Sequence, residues 1–179
     1  VSSLSPASAA AGTAIQINGS NLSAVTAVKF TGNANAVFSV LSSSQLSVTV
    51  PPGAASGPIT LSSSGCADVH TPAFTLIPNN PVPSISSLSP TSAIAGGGSF
   101  TLTVTGVNFV NGATLRWNGS DRPTTFVNAT SLSAVISAAD IASSGTASIT
   151  VFNPAPAGGV SIAINFTINA PCPAGVTAS

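Results

Sequence analysis

Few residues in this chain have side chains suited to chemistry, and several of them share one short stretch. Cys66, Asp68 and His70 lie close together in SSGCADVH. A thiol beside an imidazole and a carboxylate is the composition of a thiol nucleophile, and the same side chains can hold a metal ion. A metal site takes three or four ligands at fixed spacing. This stretch offers at most three, so it reads as a polar surface loop joining two strands. General acid–base catalysis needs two positioned carboxylates, or a histidine with an orienting acid. The only acids are Asp68, Asp121 and Asp140, and there is one histidine. Calcium would want several clustered carboxylates. The chain is therefore not read as an enzyme, and no catalytic residue, cofactor or metal is expected. Asp121 and Arg122 follow an Asn-Gly-Ser turn and read as a surface pair.

Only 3% of the 179 residues are charged and the formal net charge is zero, against about a quarter charged in ordinary soluble domains. The bases are Lys29, Arg116 and Arg122; Glu, Tyr and Met are absent. Nothing here would neutralise phosphates, so nucleic acid is not an expected partner. No apolar run is long enough to span a bilayer as a helix. Val1 opens directly into patterned sequence, so a leader is expected to be removed or absent from this chain. Polarity comes from Ser, Thr, Asn and Gly, and near-zero charge favours association. Either glycans cover such a surface or association is its purpose. Asn-x-Ser/Thr acceptor tripeptides begin at Asn18, Asn21, Asn118, Asn128 and Asn165. The last is expected inside a strand, which disfavours its modification.

The chain repeats itself. SSLSPASAAAGTAIQINGSNL (2–22) is matched by SSLSPTSAIAGGGSFTLTVTGVNF (86–109). AVKF (27–30) is matched by TLRW (114–117), and AFTL (73–76) by NFTI (165–168). The offset grows from 84 positions to about 90, so each unit is a domain rather than a short solenoid repeat. Within each unit apolar residues alternate with polar ones: Ile15 and Ile17, Leu46 to Val50, Leu102 and Val104, Ile149 and Val151, and Ile162 to Phe166. Period two marks half-buried strands. Gly and Pro punctuate them at sandwich spacing. The expected architecture is all-β: two tandem β-sandwiches of about seven strands each, arranged end to end. The expected boundaries are a sandwich over 1–78, a Pro-rich linker at 79–84, a sandwich over 85–169 and a tail at 170–179. Helix is limited to a turn near Ala138–Ala142. Pro90, Gly106 and Gly145 are expected in turns. Leu88, Leu102, Val104, Trp117, Leu132, Ile149 and Phe166 are expected in the second core.

SSLSP, a Gly-rich turn and a strand ending in NGSNL or TGVNF together resemble the IPT/TIG immunoglobulin-like domain. GTASITVFNPAPAGG followed by NFTI fits the same family. The resemblance implies a seven-stranded sandwich, found in bacterial surface proteins, receptor ectodomains and carbohydrate-active enzymes, with no catalytic residues. Asp140 resembles the family's acid at the start of a short helical turn, where it caps backbone N–H groups. Trp117 is the sole tryptophan and matches Phe30 in register. A sugar-stacking platform is one reading; a buried strand residue is the other, and is preferred.

Two cysteines in a low-charge chain of extracellular type suggest a disulfide. Cys66 aligns with Pro154, in the loop before the last strand, at the end where its domain begins. Cys172 follows the last strand of the second unit. In an end-to-end pair these tips would be on the order of 60 Å apart, far beyond the ~7 Å that a disulfide allows. The expectation is therefore an intermolecular Cys66–Cys172 bond. A tail containing Pro171, Cys172, Pro173 and Val176 would dock on the next copy. The chain is read as a structural subunit of an extracellular filament or surface polymer. Its partners would be copies of itself, with glycans on its surface. A spacer or adhesion fragment of a larger surface protein is the alternative, and a carbohydrate-binding accessory module ranks third.

Overall fold

The computed structural model describes residues 1–172. The chain divides into two compact units, Val1–Asn79 and Asn80–Ser179. Both are all-β.

The first unit contains β1 (Ser3–Ser5), β2 (Ser8–Ala9), β3 (Ala14–Asn18), β4 (Val25–Thr31), β5 (Ala34–Asn35), β6 (Phe38–Ser42), β7 (Gln45–Thr49), β8 (Ala55–Ser63) and β9 (Val69–Leu76). One sheet has the order β1-β3-β7-β6, and the other β2-β9-β8-β4-β5. Alternation explains the layering. Ile15 and Ile17 of β3, Leu46 and Val48 of β7, and Ile59 and Leu61 of β8 all point into one core, while Gln16 and Ser47 point away. Phe30 of β4 meets Phe74 of β9 edge to face, with centroids 5.2 Å apart, the arrangement that ring quadrupoles favour.

The second unit contains β10 (Ser84–Ser89), β11 (Ser92–Ile94), β12 (Phe100–Val107), β13 (Thr114–Trp117), β14 (Ser120–Arg122), β15 (Thr124–Asn128), β16 (Ser131–Ile136), β17 (Gly145–Asn153), β18 (Gly159–Val160) and β19 (Ile164–Asn169). Its sheets are β10-β12-β16-β15 and β11-β19-β17-β13-β14, with β18 on β17. All seven of the expected core residues, Leu88, Leu102, Val104, Trp117, Leu132, Ile149 and Phe166, are buried together. Trp117 is 2% exposed and packs on Phe166 at 5.2 Å, repeating the Phe30–Phe74 pair.

The described residues hold nine strand segments in one unit and ten in the other, more than the about seven expected of the sandwich. In each unit the opening strand breaks at a proline, Pro6 or Pro90, and the chain crosses to the opposite sheet. There β2 runs parallel to β9, and β11 parallel to β19. Proline cannot donate to a ladder, so the break falls there. Short hairpin strands β5 and β14 follow β4 and β13. The helical turn appears as a 3₁₀ segment over Ala138–Ile141, and a second, not anticipated, covers Leu22–Ala24.

Two of the expected turns are strand positions instead. Gly145 opens β17 opposite Ile168. Gly106 lies within β12 opposite Ile85, where the β10 backbone presses close. A Cβ on Gly106 would run into the Ser84 carbonyl oxygen and stand 2.6 Å from Phe109 Cζ. Gly19 is the matching residue of the first unit, and there a Cβ would stand 3.0 Å from Val1 Cα. Ile162 was expected to alternate inward, but it precedes β19 and is 90% exposed.

Gly106→Ala should therefore destabilise the second unit by about 1–3 kcal/mol, the range typical of overpacking, and Gly19→Ala should cost its unit less. Trp117 is the only tryptophan, so urea unfolding followed by its fluorescence isolates the second unit and reads the first of these changes directly.

Candidate functional site

The Cys66–His70 stretch spans the loop between β8 and β9 and the start of β9. Cys66, Asp68 and His70 are all exposed. His70 Nδ1 lies 3.1 Å from Thr60 Oγ1 across the β8–β9 pair, so its ring is engaged by the neighbouring strand. Among the described residues, no group of three His, Cys, Asp or Glu is placed to hold a metal ion.

What this loop does form is one wall of a cleft of about 340 Å³ at the pole where the first unit begins. Val1, Asn21, Leu22, Leu61, Cys66 and Ala67 line it. Asn21 stands in the left-handed conformation at φ 55°, which Asn tolerates better than most side chains. The Cys66 thiol is free and exposed at the lip.

The corresponding pole of the second unit is occupied by its own lead-in, Asn80–Val82. Asn80 bridges Ala157 in parallel fashion. Its N–H donates to the Pro156 carbonyl at 2.8 Å, and its carbonyl accepts from Gly158 N–H at 2.8 Å. Its side-chain amide donates to the Pro154 carbonyl at 2.8 Å. Asn153, fully buried, donates from Nδ2 to the Pro81 carbonyl at 2.8 Å and to the Asn108 carbonyl at 2.6 Å. Asn108, at φ 65°, donates from Nδ2 to the Val82 carbonyl at 3.2 Å. Three asparagines thus pin an extended, proline-containing segment whose own backbone has few other partners. Sequence patterning does not reveal Asn80, Asn108 and Asn153 as a set. The available signal was the repeated Asn of NGSNL and TGVNF, which marks Asn21 and Asn108 as equivalents.

The remaining sequence-derived residues fall as follows. Asn21 and Asn118 are exposed at bends of the chain, and Asn128 is exposed at the end of β15. Asn128 Oδ1 accepts from its own Thr130 N–H and hydroxyl. Asn118 Oδ1 accepts from Ser148 N–H at 2.8 Å. Asn18 ends β3, half-buried, with Nδ2 directed to Ser3 Oγ. Asn165 lies in β19 opposite Ser148. Trp117 is inside the core and offers no face to a sugar. Pro171 and Cys172 follow β19, and Cys172 is exposed and free; Pro173 and Val176 lie outside the described residues.

Asp121 and Arg122 do not pair with each other through their charges. Asp121 takes Arg116 at 2.6 Å on the exposed face of β13–β14, and Arg116 also lies over the Phe152 ring. Arg122 instead reaches Asp140 with both Nε and Nη2. Asp140 closes a capping box with Ser137, as its resemblance implied: Ser137 Oγ accepts from Asp140 N–H, and the carboxylate accepts from Ser137 N–H. Hydrogen bonding from Arg122, then from Ser137, holds the Asp140 carboxyl below the usual aspartate range, against the opposing effect of burial.

Each unit is therefore an immunoglobulin-like sandwich, and in the second an asparagine-rich pole holds the extended segment that leads into it. The profile of the IPT/TIG domain matches residues 1–75 and again 83–168, and the chain belongs to that family. No curated protein matches it. Among solved structures, it is similar to the Bacteroides ovatus mixed-linkage glucan utilization locus protein SGBP-B in complex with a mixed-linkage heptasaccharide, at 18% identity and TM-score 0.37, over 90% of this chain and 43% of that one. The surface glycan-binding protein PbSGBP-B from Prevotella bryantii follows at 17% identity and TM-score 0.36, over 87% and 37%. The ectodomain of mouse nectin-like molecule 4 matches at 12% identity and TM-score 0.38, over 91% and 65%. The chain spans less than half the length of the first two.

Two substitutions test this reading of the second unit. Asn153→Ala strands the Pro81 and Asn108 carbonyls and should cost about 1–3 kcal/mol, again read on Trp117. Asp140→Asn should lower stability by a similar amount at neutral pH. Because the folded-state pKa of Asp140 is depressed, its contribution is complete above the ordinary aspartate range and is lost as pH falls through the lower folded value. Wild type and Asp140→Asn should thus differ at neutral pH and converge in acid, which urea titrations at stepped pH would show.

Proposed function

We propose that the chain is a structural subunit of an extracellular filament or surface polymer. Copies join head to tail, the C-terminal tail of one docking on the N-terminal domain of the next, and a Cys66–Cys172 disulfide between copies closes each joint. The observation that carries this reading is the position of the two thiols. Cys66 is exposed at the lip of an apolar cleft beside Val1. Cys172 is exposed just beyond the final strand. A contact between two different surfaces of identical subunits is heterologous and need not close.

Composition supports the same conclusion. With zero formal net charge, copies do not repel one another, and association is favoured. Disulfides persist in oxidising compartments, which points to the cell exterior. Asn118 and Asn128 are exposed acceptors for sugars; Asn21 is a poorer one because it lines the cleft that takes the tail, and Asn18 because its amide nitrogen is engaged. No step of bond-making on a substrate enters this role. A spacer in a longer surface protein would use the same two sandwiches; polymerisation separates the two readings. A sugar-binding module would need an exposed aromatic platform, and Trp117 is buried.

Negative-stain electron microscopy and non-reducing gels of the concentrated protein under mild oxidation test the proposal. Fibres, and a ladder of multimers that collapses with reductant, are the expected result. Monomers with free thiols throughout would leave the spacer reading in its place.

A further inference from the structure

The second unit shows how a tail can dock, and strand register carries that geometry onto the first unit. In the first unit β2 faces β9 with Ala9 opposite Leu76. In the second, β11 faces β19 with Ala93 opposite Ile168. Ala9 and Ala93 occupy the same place after SLSP, so Leu76 and Ile168 are equivalents. Counting onward from each, Cys172 falls where Asn80 stands, and Pro173 falls where Pro81 stands.

Cys66 is placed the same way. Val28 lies opposite Leu61, and its equivalent Leu115 lies opposite Val151. Counting outward along β8 and β17 puts Cys66 level with Pro156, two positions beyond the Pro154 of the sequence alignment. Counting back from the other side of the loop, Val69 is opposite Leu61 and Ser161 N–H bonds the Val151 carbonyl, which puts Cys66 level with Gly158. The loop is longer in the second unit, so the two counts differ. Yet both land on a residue that hydrogen-bonds Asn80, through the Pro156 carbonyl on one side and Gly158 N–H on the other, each at 2.8 Å.

We infer that the chain just beyond β19 of one copy, at Pro171–Cys172, enters the Val1–Asn21–Cys66 cleft of a second copy, pairing along Cys66–Ala67 as Asn80 pairs along Pro156–Gly158. The inference rests on the head-to-tail reading above and names its contact surface. It is a short β-augmentation. Asn80 is bridged to Ala157, and Cys66 is level with a residue next to Ala157. Bridged Cα atoms lie about 5 Å apart and one residue along the strand adds about 3.3 Å at right angles, so this docking places the Cys172 and Cys66 Cα atoms about 6 Å apart, within the ~7 Å reach of a disulfide. Asn21 supplies the left-handed asparagine that Asn108 supplies in the second unit. The departure is Ser63, which stands where the second unit has Asn153. The side-chain bond to the proline carbonyl is missing there, and a covalent link holds the segment instead. The link forms by exchange with a small disulfide such as oxidised glutathione. The Cys172 thiolate displaces one thiolate from it, and the Cys66 thiolate then displaces the other. The protein loses two protons and two electrons, and the small disulfide leaves as two thiols.

The test uses full-length Cys66→Ser and Cys172→Ser proteins in a glutathione redox buffer, separately and mixed. The first keeps only the tail thiol, and the second only the cleft thiol. The mixture should give a disulfide heterodimer exceeding either homodimer by at least about tenfold, since docking raises the effective concentration of the paired thiols. Peptide mapping should return a Cys66–Cys172 link between copies. A Cys66→Ser, Thr13→Cys variant moves the acceptor to an exposed position at the other pole of the first unit; it should not cross-link preferentially with the tail thiol. Equal homodimer and heterodimer yields, or equal capture by Thr13→Cys, would overturn the inference. Wild-type fibres that persist in both single variants, without the mapped link, would also overturn it while leaving the filament reading intact. A mapped heterodimer, with wild type closing into small rings, would sustain the docking and overturn the filament.

Discussion

With three basic and three acidic side chains in 179 residues, order in this protein has to come from short-range interactions, namely backbone pairing and the burial of every second residue. Each sandwich meets that constraint in the same way. Two sheets turn their apolar faces together, an aromatic pair fills the centre (Phe30 with Phe74, Trp117 with Phe166), and Ser and Thr occupy the outward positions. The weak points of such a design are the poles, where strands end and backbone groups lose their ladder partners. A buried polar group without a partner is costly, and charged caps are scarce here. Asparagine takes over. Its amide nitrogen offers two donors, and in Asn80, Asn108 and Asn153 it ties loop and lead-in carbonyls together, although the Asn153 amide oxygen is itself buried without a partner.

Among the described residues, two ion pairs belong to this economy. Arg116–Asp121 is an exposed pair across a two-strand ribbon, of a kind that contributes little to stability. Arg122–Asp140 is less exposed, at 20% and 13% for the two side chains, and it joins β14 to the capped 3₁₀ turn. The carboxylate there serves three donors: the guanidinium, the Ser137 hydroxyl and the Ser137 backbone. Both pairs lie in the second unit, so the two domains share a fold but not an electrostatic character.

Much of the fold was legible because its cause is periodic. Alternation places Ile15, Leu102 or Ile149 on an inner face wherever the strand ends up, and the repeat makes each unit a check on the other; the match of Trp117 with Phe30 placed the tryptophan in the core. Contacts that depend on three-dimensional approach were not legible. Gly106 reads as a turn residue beside Asn108, but it is a strand residue kept small by the Ser84 carbonyl. Asp121 and Arg122 are neighbours in the chain, yet side chains of adjacent strand residues point to opposite faces, so each finds a partner elsewhere. Ile162 sits one register step outside the strand that its pattern suggested. The asparagine-lined pole was visible only as a repeated letter, since its purpose depends on the segment lying against it.

The first unit holds only Lys29 and Asp68 as charged side chains, with His70 and Cys66 as its other titratable ones. Its cleft is walled by aliphatic side chains, serine hydroxyls, a thiol and an amide. Screening by dissolved ions acts on charges, and here it has almost nothing to act upon. A joint made at this surface would hold about equally in rainwater and in brine, and across a wide span of acidity. Any contact built on such a surface would be indifferent to the ionic weather around it.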